Sequence, residues 1–127
     1  MNTLQPITTK KATCTDLLTC LYNLKPTDTE ILLTVAKNPQ ATLDDIATKV
    51  QRDRSSVHRC LAKLVTAGLV TKEAKSIKGG GYYHVYSMVE PQKIKKHAKE
   101  RVKEITESLN GLISSFESDL KKHLEQP

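Results

Sequence analysis

The stretch Arg52-Asp53-Arg54-Ser55-Ser56-Val57-His58-Arg59-Cys60-Leu61-Ala62-Lys63-Leu64-Val65-Thr66-Ala67-Gly68-Leu69-Val70 decides the fold. Val57, Cys60, Leu61, Leu64 and Val65 recur at intervals of three and four, which gathers them on one side of a helix. Gly68 stands where a left-handed residue closes such a helix, so the spacing predicts a helix from about Asp53 to Ala67. At about 100° per residue, Ser55, Arg59, Ala62 and Thr66 fall opposite the apolar stripe. Ser56 and Lys63 lie on one flank and His58 on the other. Arg52 and Arg54 sit at the N-terminal end, where free amides and the helix dipole favour phosphate. After Asp53 this outer face carries no acid, unlike an ordinary solvated face of mixed glutamate and lysine. Arginine can grip guanine with two hydrogen bonds, and serine can reach phosphate or base edges.

Three shorter helices are expected upstream. Leu17, Leu18, Leu21 and Leu24 form one amphipathic stripe, ended by Lys25-Pro26 because proline disfavours helical geometry in the residue before it. Thr27-Asp28-Thr29-Glu30 reads as a capping box, with the Thr27 hydroxyl and the Glu30 side chain capping each other's amides. It opens a helix whose stripe is Ile31, Leu32, Val35 and Ala36, stopped by Asn38-Pro39. Thr42-Leu43-Asp44-Asp45 offers a second box for a short helix to Val50, and Gln51-Arg52-Asp53 makes a tight polar turn. Residues 1–12 are polar, Thr-rich at the start and without an apolar signal segment, and are expected as a flexible tail.

Downstream the period changes. Leu69–Glu73 and Tyr82–Met88 read as two strands of a hairpin. Residues 74–81 between them form a wing loop in which Gly79-Gly80-Gly81 permits positive φ, and Lys75, Ser76 and Lys78 decorate its tip. Tyr82, Tyr83 and Tyr86 are expected to brace the hairpin. Residues 13–90 therefore make one domain, and residues 91–127 a second element that Pro91 starts as a long helix reaching about Leu124. From Ala98 through Val102, Ile105, Leu109 and Leu112 to Phe116 the apolar steps alternate four and three, and Leu120 and Leu124 continue the row. That is a heptad seam on a helix of roughly 50 Å, much longer than a small core requires. A second copy is the simplest partner for Ala98, Val102, Ile105, Leu109, Leu112, Phe116 and Leu120, so a homodimer is expected. The spacing alone leaves parallel and antiparallel pairing open.

With 127 residues, 38% hydrophobic and 27% charged, the chain should fold as one modest domain with a projecting element. The net charge of +6 is concentrated. Eight basic residues face only Asp53 and Glu73 between Lys49 and Lys78, and six face only Glu100 between Lys93 and Lys103. No run nears the roughly 18 apolar residues of a membrane span. Cys14, Cys20 and Cys60 are odd in number and lack metal-ligand spacing, which suits reduced thiols in the cytoplasm. His58, His84, His97 and His123 are scattered and join no catalytic motif. Neither enzyme activity, nor a metal, nor a cofactor, nor a small-molecule effector is expected.

The fold class that follows is mainly α with a small β-hairpin: a winged helix-turn-helix plus a long C-terminal dimerisation helix. In such folds the helix before the hairpin, here about 53–67, enters the major groove of double-stranded DNA, and the wing, here 74–81, rests on the backbone or minor groove. The candidate contacts are Arg52, Arg54, Ser55, Ser56, His58, Arg59, Lys63, Lys75, Ser76 and Lys78. The segments Asp45-Ile46-Ala47, Arg52–Arg59 and Leu61–Val70, with Gly80-Gly81-Tyr82 and Tyr83–Tyr86 in the wing, resemble archaeal TrmB-like winged-helix transcriptional regulators. The resemblance covers about Asp16 to Met88 and implies a dimeric regulator. Larger members carry a C-terminal sugar-binding domain that residues 91–127 do not resemble, so sugar sensing is not implied. Two other readings of the same fold are an architectural chromatin protein with little sequence preference and a protein-interaction module that no longer binds DNA.

Overall fold

The computed structural model describes residues 5–8 and 10–126. Of the expected tail, residues 1–4 and 9 lie outside the described residues, while Gln5–Thr8 form a single helical turn, α1. There follow α2 (Cys14–Tyr22), α3 (Pro26–Lys37), α4 (Leu43–Val50), α5 (Arg54–Thr66), β1 (Val70–Ser76), β2 (Tyr82–Met88), α6 (Pro91–Ser114) and α7 (Phe116–Glu125). Packing divides the chain between Ile94 and Lys95 into two units.

The core of the first unit is built from the stripes that the spacing marks. Ile31, Leu32 and Val35 of α3 meet Ile46 and Val50 of α4, Val57, Cys60, Leu61 and Leu64 of α5, and Leu69, Val70 and Tyr86 of the hairpin. Helix ends are fixed by local chemistry. Thr42 caps α4 as expected, its hydroxyl accepting from the Asp45 amide at 3.2 Å while the Asp45 carboxylate accepts from the Thr42 amide at 3.1 Å. The cap of α3 is two residues earlier than the Thr27–Glu30 box predicts. Lys25 is the N-cap and its amide donates to Asp28 at 2.8 Å. Pro26 decides this, since proline has no amide to leave unsatisfied and its fixed φ suits the first helical position.

At the other end of α5, Gly68 adopts φ +79°. Its amide reaches Val65 and the next amide, of Leu69, reaches back to Leu64, both at 3.0 Å, which closes the helix as a Schellman motif. The turn from α4 to α5 is tighter than composition suggests, because Gln51 occupies the left-handed region at φ 55° where glycine or asparagine is the usual choice.

β1 and β2 pair antiparallel from Val70 opposite Met88 to Ser76 opposite Tyr82. β2 has the expected bounds, whereas β1 runs on past Glu73, so Lys75 and Ser76 belong to it rather than to the loop. The loop shrinks to residues 77–81, closed by Ile77 and Gly81, with all three glycines at positive φ. Ala41 adds a single-residue rung on the other side of β2: the Tyr86 amide donates to its carbonyl at 2.8 Å. This ties the root of the hairpin to the residue before the Thr42 cap.

The expected single helix from Pro91 to Leu124 is interrupted. Ser115 (φ −98°, ψ 3°) separates α6 from α7, although its amide still reaches Gly111 at 3.2 Å. Gly111 is a weak helix former, and the Ser114 and Ser115 hydroxyls donate back to the carbonyls of Asn110 and Gly111, a bonding mode that bends helices.

Candidate nucleic-acid interface

The outer face of α5 is where the spacing places it. Ser55, His58, Arg59, Ala62 and Thr66 are all exposed, and the opposite stripe is buried. This face and the hairpin enclose a concave surface of about 750 Å³ whose lining includes Arg54, Ser55, His58, Arg59, Lys72 and His84. Thr42, Leu43 and Asp44 from the start of α4 complete one wall. Among the described residues the only acid lining this surface is Asp44, and its carboxylate is held by Arg54 Nε at 2.7 Å. Both partners are well exposed, so the pair is worth little and Arg54 can exchange it for phosphate.

Arg59 is set by a short relay at the helix start. Asp53 caps α5, accepting from the Ser56 amide at 3.0 Å and from the Ser56 hydroxyl at 2.7 Å. Those two bonds from Ser56 hold the Asp53 carboxyl below the usual carboxylate range. Arg59 Nη2 in turn donates to the Ser56 hydroxyl oxygen at 3.3 Å. The Ser56 hydroxyl is therefore engaged as a bridge, which makes it a positioning group for Arg59.

Three expected contacts sit elsewhere. Arg52 reaches back to Glu30 of α3 at 3.3 Å and is not part of the concave wall. Lys63 turns inward: its ammonium donates to the Asn23 carbonyl at 3.0 Å and to Asp28 Oδ2 at 2.6 Å. Side chains alternate along a strand, so Lys72, paired with Tyr86, faces the concave side. Lys75 lies 3.2 Å from Glu73 and is not part of the concave wall. Lys78 and Ser76 remain exposed near the tip.

Among the described residues Asp28 is the one buried charged side chain, 6% exposed. Burial pushes its carboxyl up, but the Lys63 ammonium, the Lys25 amide and the Cys60 thiol together bring it below the ordinary value of 3.8. Burial and the adjacent Asp28 carboxylate push the Cys60 thiol up to about 12, so it stays protonated and donates to Asp28 Oδ1 at 3.2 Å. Among the described residues no three His, Cys, Asp or Glu side chains come together as a metal site.

The spacing missed two groups. Lys72 was legible as charge, but only the strand register puts it on the concave side. Tyr82 and Tyr83 are 66% and 45% exposed and line the concavity, whereas Tyr86 lines its floor and packs into the core. Tyr82 stands edge-on to His84 with ring centres 5.4 Å apart.

A family model described as the sugar-specific transcriptional regulator TrmB matches residues 18–92, the span that builds this surface. The chain belongs to the TrmB family. An uncharacterized protein of Methanocaldococcus jannaschii is 33% identical over 111 residues, covering 86% of this chain and 84% of that one. Among solved structures, a possible transcriptional regulator from Methanosarcina mazei superposes with TM-score 0.71 at 21% identity, covering 81% of this chain and 88% of that one. A protein from Sulfolobus tokodaii superposes with TM-score 0.60 at 22% identity, covering 75% and 93%. The TrmB family is one of transcriptional regulators. Among the described residues, no helix of this TrmB member is long and apolar enough to cross a membrane.

Proposed function

We propose that this TrmB-family protein is a sequence-specific regulator that binds double-stranded DNA in the cytoplasm as a homodimer. The observation that carries the reading is the concave wall in which exposed Ser55, His58 and Arg59 of α5 face Lys72 and His84 of the hairpin, with its only acid already paired. The exposed face of α5 lies in the major groove, with Arg59 and Ser55 at base edges and Arg54 at the backbone. Lys72, Ser76, Lys78 and the exposed tyrosines lie along the flanking backbone or minor groove, where lysines act through charge and lose force with salt. Lys63 leaves the contact set, because it is committed to the buried Asp28, and Arg52, whose pair with Glu30 is exposed and exchangeable, lies off the concave wall and can reach only the flanking backbone. No effector is assigned.

Genome-wide mapping of bound sites is the direct test. Discrete sites sharing a sequence, bound at least about a thousandfold more tightly than random duplex, are expected. Even coverage, with equal affinity for random duplex, overturns sequence specificity and leaves a DNA-packaging protein.

The dimer rests on the apolar row of α6 and α7, where Leu109 and Leu112 are large hydrophobic side chains left exposed. Leu109→Lys combined with Leu112→Lys is expected to yield monomers by sedimentation. A variant that still sediments as a dimer places the interface elsewhere.

A further inference from the structure

We infer that the α6–α7 segments of two copies pair antiparallel, crossing at Asn110–Gly111, with Phe116 of each copy seated in a groove around Ile105 of the other. This rests on the homodimer proposed above and assigns its geometry.

The row of apolar side chains is close to symmetric about its middle. Centred between Asn110 and Gly111, or within half a residue of that point, Leu109 faces Leu112, Ile105 faces Phe116 and Val102 faces Leu120. All six are exposed in the isolated chain. Beyond Ser115 the exposed apolar row continues at Leu120.

Shape and charge favour this direction. A shallow groove of about 290 Å³ lies on α6, lined by Arg101, Glu104, Ile105, Ser108 and Leu109. Phe116, the bulkiest side chain of the row and 60% exposed, stands eleven residues further on, about 16 Å along the axis. An antiparallel pair brings each Phe116 to the partner's groove. An in-register parallel pair sets Phe116 against Phe116 and leaves each groove facing its own image. Parallel pairing also lays the lysine-rich stretch 93–103 beside itself, whereas antiparallel pairing sets it beside 118–125, where Asp119 and Glu125 balance Lys121 and Lys122.

Oxidative cross-linking tests it in the full chain with Cys14→Ser and Cys20→Ser. Val102→Cys alone and Leu120→Cys alone are expected to give no cross-linked dimer, because equivalent positions lie about 27 Å apart along the axis. The double variant Val102→Cys with Leu120→Cys is expected to cross-link nearly completely. Cross-linking of either single variant by itself, in a protein that sediments as a dimer, overturns the antiparallel geometry and leaves the dimer standing. A dimer with no link in any variant removes the interface from this row. A monomer overturns the dimer reading as well.

Discussion

Arg59→Ala is expected to weaken binding to a mapped site by more than about tenfold, with the far-ultraviolet circular dichroism and melting temperature unchanged. Arg59 lies at the middle of the exposed face of α5 and packs against nothing in the core, so its removal leaves the fold intact. One two-pronged arginine–guanine contact discriminates by about 1–3 kcal/mol, and about 1.4 kcal/mol is a factor of ten. In a homodimer the loss is felt at both half-sites. Arg59→Lys should recover little, since an ammonium on a flexible stem offers charge without the planar fork. The control is random duplex. A base-reading Arg59 leaves that affinity nearly unchanged, whereas Lys72→Ala should weaken both duplexes alike and reduce the salt slope by about one. If Arg59→Ala lowers affinity for random and mapped DNA equally, Arg59 is a phosphate contact and specificity lies elsewhere. Adding Arg54→Ala should deepen the loss, because its Asp44 partner is too exposed to hold it against phosphate.

The second large effect is on stability. Asp28→Ala is expected to reduce the free energy of unfolding by about 2–4 kcal/mol at neutral pH, compared at equal protomer concentration. The substitution leaves the Cys60 thiol, the Lys25 amide and the Lys63 ammonium without their shared acceptor, and Lys63 loses its pairing at 2.6 Å. Because the folded-state value of Asp28 lies below 3.8, its contribution is complete well above that pH. The contribution falls away as pH drops below about 3.8 and through the folded-state value. Denaturant unfolding of wild type and variant should therefore differ most near pH 7 and converge toward pH 2. A difference under about 0.5 kcal/mol at pH 7 would show that α3 and α5 are held by the apolar core alone. Lys63→Met should also destabilise, as it strands the carboxylate, and Asp28→Asn combined with it should recover part of the loss.

Asp28 also shows what the sequence makes legible. It lies in register with Ile31, Leu32 and Val35, on the buried stripe of α3. An acid at such a position demands a cation, and that demand is visible in the spacing. Which cation answers it is not, because Lys63 lies 35 residues away and a long flexible stem can turn from the flank of α5 into the core edge. A helical wheel gives the direction of the Cβ and nothing about the reach of the ammonium. The same limit hid Lys72, whose side of the hairpin depends on a pairing register that local pattern does not specify.

Features whose causes are local were legible. Thr42 with Asp45 and Gly68 after α5 each act within a few residues, and both stand where the pattern puts them. At Lys25–Glu30 two overlapping caps were available to the same residues, and Pro26 selected the earlier one. The Ala41–Tyr86 rung joins residues 45 positions apart by backbone alone, and no side chain announces it.

That rung gives the hairpin a gradient of stiffness. Its root is clamped to the lead-in of α4 at Ala41, and its middle is held by the strand ladder. Its tip rests on three residues without side chains. A probe built this way holds its angle against α5 while its end conforms to whatever contour it meets. Variation in groove width from one DNA sequence to the next would be absorbed at Gly79–Gly81, leaving the aim of Arg59 undisturbed.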